Sequence, residues 1–297
     1  MNKYKAFGLT IETEAILEEL MPYEGEAEIL IKEETIPVVM GCWTIDTLQV
    51  KIGRDKYYME IDGLGKFYVE KGNTIIYEKK ENAPFEEIKL YLYGSCMGAL
   101  LYQRKILPLH GSCVNIGGNG IILTGESGAG KSTLSADICK RGFTMLTDDV
   151  SAIKRNEHEP PMVYPGCPFQ KLWEDAIERI GIESKREALR VSNHVYKYRV
   201  ENTGQFEDRP IGLKVLIELI PADVLCVTVT QVQGAEKLNV VLRNTYRRLI
   251  AEAMDLRKWH FEQCVMMAKE VEVYRIIRPR AIHVEEEITN IILEIIK

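Results

Sequence analysis

The segment Gly125 to Thr133 reads GESGAGKST and satisfies the pattern G-x-x-x-x-G-K-[ST] in full. The apolar run Ile121-Ile122-Leu123 precedes it, and Leu134 to Lys140 follows with helical character, so the motif sits in a strand–loop–helix context. Glycines let backbone N–H groups turn inward around phosphate oxygens, and the new helix adds its N-terminal dipole to the same anion. Lys131 then reaches the β- and γ-phosphates, and Ser132 offers its hydroxyl to Mg²⁺. An incidental Gly-rich turn carrying Lys-Ser has no need of such flanks. Gly125, Glu126, Ser127, Gly128, Ala129, Gly130, Lys131, Ser132 and Thr133 are therefore the expected nucleotide site, with ATP and Mg²⁺ as expected cofactors.

The bulk of the chain sets limits on that expectation. At 297 residues it is long for one domain and comfortable for two. A formal net charge of -6 argues against a nucleic-acid partner. No opening basic-then-apolar stretch resembles a signal peptide, and no apolar run approaches the ~20 residues of a membrane helix. The seven cysteines are scattered and never form C-x-x-C. Reduced thiols in a cytoplasmic protein, away from membranes, are the expectation.

Two parts differ in pattern. Ala27 to Lys32, Leu48 to Ile52, Tyr57 to Ile61, Lys66 to Glu70 and Thr74 to Glu78 alternate as half-buried strands do, with turn signals at Asp62-Gly63 and Lys71-Gly72-Asn73. Residues 1–85 are expected to form a small N-terminal β-rich domain, an antiparallel meander without a catalytic constellation. From Phe85 the pattern turns helical to about Gln103, and strands then alternate with helices. Residues 86–297 read as an α/β catalytic domain around the phosphate loop. Its expected later elements include strands at Leu213 to Leu219, Leu225 to Val229 and Val271 to Ile277. Helices are expected over Ala235 to Met254, Trp259 to Lys269 and Ile282 to Ile296.

Asp148-Asp149 ends the strand that follows the phosphate-loop helix, where ligands of α/β sheets collect. One carboxylate can hold Mg²⁺ while the other takes the proton of an attacking hydroxyl; a polar turn is the plainer alternative. His110 sits just before a predicted strand, either as a structural residue or as an aid to proton transfer and phosphate binding. Arg243, Arg247 and Arg248 share one predicted helix, as a solvated basic face or as charge for phosphoryl transfer. Tyr246 and His260-Phe261 read as core contacts. Arg278, after a strand, can face the nucleotide, and Pro160 to Pro168 is either a rigid connector or a wall of the acceptor site.

The stretch from His110 to Val150, HGSCVNIGGNGIILTGESGAGKSTLSADICKRGFTMLTDDV, closely resembles the catalytic core of the HPr kinase/phosphorylase family. The resemblance implies an HPr-kinase-like P-loop domain, with His110 as active-site His, Lys131 as phosphate Lys and Ser132 as the metal-contacting Ser. It makes Asp149 the base of the kinase direction and the acid of the reverse one, with Asp148 beside it as a metal ligand. Beyond residue 155 the family's signature segment with its metal-contacting Glu has no counterpart, nor does its basic loop; Glu207-Asp208-Arg209 is the nearest candidate. Other short features resemble an HPr-kinase-like branch encoded with peptide-modifying, lasso-type enzymes. These are Asp62 to Phe67, Tyr164 to Pro168 leading to Lys171-Leu172-Trp173, Thr245-Tyr246, His260-Phe261 and Arg278-Pro279.

The expected activity is transfer of the γ-phosphoryl of ATP to a serine hydroxyl, most simply on a precursor peptide. Lys131, Asp149 and His110 carry the chemistry, and Ser132 and Asp148 hold the metal. HPr protein or a small molecule such as serine are the alternative acceptors. A nucleotide-regulated binding protein without kinase activity is the alternative from another class. Self-association is left open.

Overall fold

The computed structural model describes the chain apart from residues 37–41, 156–158, 183–186, 193–194, 202 and 281. The alternating segments before residue 80 pair into one nine-stranded sheet whose first and last long strands are Asn2–Ala6 and Thr74–Lys79. Its second half, from Ile45 to Lys79, is the expected antiparallel ladder. The first half departs from expectation. Ile29–Glu33 lies parallel to both Leu9–Thr13 and Thr74–Lys79, so the sheet is mixed. Period-two alternation reports one buried face and is blind to a neighbour's direction, which explains the miss.

That buried face, with Leu9, Ile11, Ile29, Ile31, Phe67, Val69 and Ile75, packs on the helical segment that follows. The segment is continuous from Phe85–Tyr91 through a π turn at Leu92–Cys96 to Met97–Gln103. Gly98 faces the Tyr246 ring so closely that a Cβ there would lie 2.7 Å from it. Tyr246, Ile250 and Ala251 join the same core, so the N-terminal sheet and the region around residue 250 share one apolar cluster.

The second sheet frames the phosphate loop. Leu107–Ile116 pairs antiparallel with Asn119–Thr124, Thr144–Thr147 and Val150–Lys154. Asn119–Thr124, Ile211–Ala222 and Glu272–Pro279 run parallel as neighbours. Because Met162–Tyr164 joins Val150–Lys154 to Ile211–Ala222, the pairing path closes on itself. A third sheet holds Phe169–Leu172, Val195–Glu201 and Glu187–Ser192. The phosphate-loop helix Lys131–Lys140 packs Leu134, Ile138 and Cys139 into a core shared with Ile288 and Ile292 of the final helix, Glu285–Ile296.

Two further expectations are corrected. The single helix over 235–254 is interrupted: Ala235–Arg243 and Leu249–Ala253 flank a bend at Asn244 to Arg248, with Arg247 at φ 47. Apolar periodicity runs through this bend because Tyr246 stays in the core, pointing toward a different wall. The strand read at Leu225 to Val229 instead spans Thr228–Gln231, and Leu225 is exposed.

Candidate active site

The phosphate loop takes its shape from backbone conformations that side chains resist. Gly125, Gly128 and Gly130 have φ of 136, 83 and 97, a region open to glycine at little cost. At Gly125 a Cβ would also stand 2.5 Å from the Leu219 carbonyl oxygen. Lys131, buried at the helix start, donates to the carbonyls of Gly125 and Glu126 at 2.9 Å each. Burial lowers its pKa, while Asp149 and Asp148 act to raise it. It sits folded over the cradle that a phosphate chain would fill.

Thr144–Thr147 lies beside Leu107–Ile116, which brings Asp148-Asp149 against His110. His110 is within that strand rather than ahead of it, because Leu107 to Leu109 already pair with Ser151 to Ile153. Asp149 adopts φ 70, a left-handed conformation that Asp tolerates better than most residues. Its carbonyl thereby accepts both the Gly111 N–H at 3.2 Å and His110 Nδ1 at 3.0 Å. A carbonyl only accepts, so the neutral imidazole carries its proton on Nδ1 and leaves Nε2 as an acceptor. His110 Nδ1 also stands 3.3 Å from Asp149 Oδ1. Burial, with Lys131 second, lowers the His110 pKa despite Asp149, favouring that neutral form.

The two carboxylates are held in different ways. Asp148 Oδ1 accepts from Ser112 Oγ at 2.5 Å and Ser132 Oγ at 2.8 Å, and Oδ2 accepts from the Lys171 N–H at 3.1 Å. Asp149 Oδ2 receives Lys171 Nζ at 3.1 Å. Burial alone would raise the Asp149 carboxyl, but the Lys171 ammonium beside it holds it well below the usual carboxylate range. The converse holds for Lys171: burial works to lower its pKa, and Asp149 outweighs this and raises it.

The expected metal pair thus meets in space. Ser132 Oγ and Asp148 Oδ1 form one hard-oxygen corner at the helix start. One hydroxyl and one carboxylate, with remaining positions for phosphate and water, is a donor set that fits Mg²⁺. All three residues expected to carry the chemistry converge as well, since His110, Lys131 and Asp149 line one cavity of about 260 Å³ together with Lys171. A second cavity of about 730 Å³ adjoins it; His110, Ser127, Gly128, Arg278 and Arg280 belong to both walls.

Lys171 is a neighbour of Asp149 in the cavity wall that the sequence alone did not assign to the site. Its only signal was its place after the Pro-rich segment, since the third sheet that delivers it is not local to the motif. Ser112 was likewise unassigned, though it stands two residues from His110 and therefore on the same face of the strand. The three arginines separate: Arg243 bonds Glu218 through Nε at 2.6 Å and a terminal nitrogen at 2.5 Å, Arg248 pairs with Glu252, and Arg247 lines the larger cavity beside Tyr246. His260 is buried against Thr245, as expected of a core contact, whereas Phe261 is exposed. Glu207 bonds Asn115 at 3.0 Å, away from the site-lining residues.

Comparison with known proteins locates the strongest similarity here. Residues 103–182 match the family described as HPr Serine kinase C-terminal domain. The HPr kinase/phosphorylase of Bordetella avium is 31% identical over 120 residues, which are 36% of this chain and 38% of that protein. The one from Clostridium beijerinckii is 50% identical over 80 residues, 26% of each chain. The matches thus span well under half the length of these relatives. The solved Hpr(Ser) kinase/phosphatase from Coxiella burnetii overlaps 64% of this chain and 87% of its own, at 14% identity and a TM-score of 0.32. No described helix is long and apolar enough to cross a membrane.

Proposed function

We propose that this chain is an ATP- and Mg²⁺-dependent kinase that phosphorylates a serine hydroxyl of a peptide or protein. The observation that carries this reading is the convergence, at one end of a complete phosphate loop, of Lys131, the Ser132–Asp148 corner and the His110–Asp149–Lys171 cluster. The similarity to HPr Serine kinase C-terminal domains supports it. The loop amides and Lys131 hold the phosphates. Ser132 and Asp148 hold Mg²⁺, which when bound neutralises charge on the β- and γ-phosphates.

Asp149, kept ionised by Lys171, accepts the hydrogen bond of the incoming hydroxyl and aims its oxygen at phosphorus. So strongly stabilised a carboxylate is a weak base. The proton therefore reaches it late, once the forming bond has acidified the oxygen, as a loose transition state permits. Neutral His110 offers Nε2 as a further acceptor. Positioning and fixed charge account for most of the rate. The larger cavity, bounded by His110, Tyr246 and Arg247, is the route for the acceptor.

A precursor peptide of the lasso type is the acceptor we favour, ahead of HPr protein and free serine. The test is intact-mass analysis after incubation with ATP, Mg²⁺ and these acceptors. Gain of one phosphoryl mass on one of them supports the kinase; ATP consumed with water as sole acceptor favours a nucleotide-regulated binding protein.

A further inference from the structure

Arg278 is the penultimate residue of the strand Glu272–Pro279, at the carboxyl edge of the three parallel strands where the phosphate loop also lies. Its Nε donates to the Ala129 carbonyl at 3.0 Å, and one terminal nitrogen donates to Pro279 at 3.2 Å. The other terminal nitrogen stands 3.2 Å from where a Cβ on Gly130 would be, so the bare glycine lets the guanidinium lie along the loop. Neighbouring arginines are neutralised: Arg243 and Arg275 by Glu218 and Glu236, Arg179 by Asp175 and Glu285. Arg278 forms no ion pair among the described residues, although it is partly buried. Glu285 acts on it only from beyond ion-pair distance and is already paired with Arg179, and a partly buried charge so weakly compensated is unfavourable unless a ligand supplies more.

We propose that Arg278 is a phosphate-contacting residue outside the loop motif, placed to bind the terminal phosphoryl group of a nucleoside triphosphate. The proposal rests on the reading that the loop holds ATP. Arg278 lies in the wall shared by the two cavities, as does His110, so a phosphoryl group passing from nucleotide to acceptor moves along its guanidinium. Lys131 grips the loop at Gly125 and Glu126, and Arg278 grips it at Ala129, so the two cations bracket the cradle. The planar fork of arginine suits bidentate contact with phosphate oxygens.

A brace that merely stiffens the loop is the competing role, and Arg278→Gln separates the two by keeping a donor while removing the charge. Binding of fluorescent ATP and ADP analogues is measured for the native protein, Arg278→Gln and Arg278→Lys, together with phosphoryl transfer and thermal denaturation. The expected result is that Arg278→Gln lowers the preference for ATP over ADP by about 10- to 100-fold, with a larger drop in turnover. Arg278→Lys recovers part of that preference, and this arm decides if the glutamine variant fails to fold. An ATP preference unchanged in Arg278→Gln overturns the proposal. So does an equal loss of both nucleotides alongside a fallen melting temperature, the signature of a brace. A native protein that binds neither nucleotide overturns the underlying reading instead.

Discussion

Replacing Lys171 by methionine keeps the stem of the side chain and removes only the ammonium that Asp149 holds at 3.1 Å. The backbone N–H of residue 171 still reaches Asp148, so the metal corner is untouched. Two unit charges at this distance attract by roughly 5 kcal/mol at an effective dielectric of about 20. Desolvation offsets much of that, and Asp149 remains 33% exposed, so the net contribution is about 1–2 kcal/mol. For a chain of 297 residues, thermal denaturation should then show a melting temperature lower by about 2–3 °C. The same energy applied to the transition state lowers phosphoryl transfer by about 5- to 30-fold. Lys171→Arg retains the charge and loses less. A Lys171→Met protein that melts and transfers like the native one would refute the role given to this pair.

Glu218, nearly fully buried, gathers Arg243, Arg275 and Asn244; Glu218→Gln is expected to destabilise by about 2–3 kcal/mol. Burial alone would raise its pKa, but the hydrogen bonds from Arg243 and Arg275 lower it below 4.5. Its contribution is therefore present above about pH 4.5 and lost as pH falls through the native value. Denaturant titrations should show the gap between native protein and Glu218→Gln closing on that acid side. Gly125→Ala places a Cβ 2.5 Å from the Leu219 carbonyl at φ 136; it should cost about 2 kcal/mol or more in denaturation and weaken nucleotide binding.

The phosphate loop was legible because its chemistry is local: glycines, Lys131 and Ser132 lie within one turn and its helix. The place of Asp148-Asp149, directly after the strand Thr144–Thr147, was legible from the order of elements along the chain. The contact of Lys171 with Asp149 was hidden, since Lys171 arrives on a separate sheet whose position depends on long-range pairing. The parallel insertion of Ile29–Glu33 escaped because alternation carries no strand direction. The bend at Asn244 to Arg248 escaped for a related reason. Tyr246 keeps the apolar rhythm while filling the space left at Gly98, so the break is set by a partner 148 residues earlier. The residue number was readable there; the contact was not.

Under the proposed function, Asp149 orients an acceptor hydroxyl for transfer while the loop binds the nucleotide independently. Asp149→Asn tests it most directly, through ATP binding and intact-mass phosphoryl transfer on the same sample. Near-native nucleotide affinity with transfer abolished is the expected result. Transfer at the native rate by Asp149→Asn would contradict it.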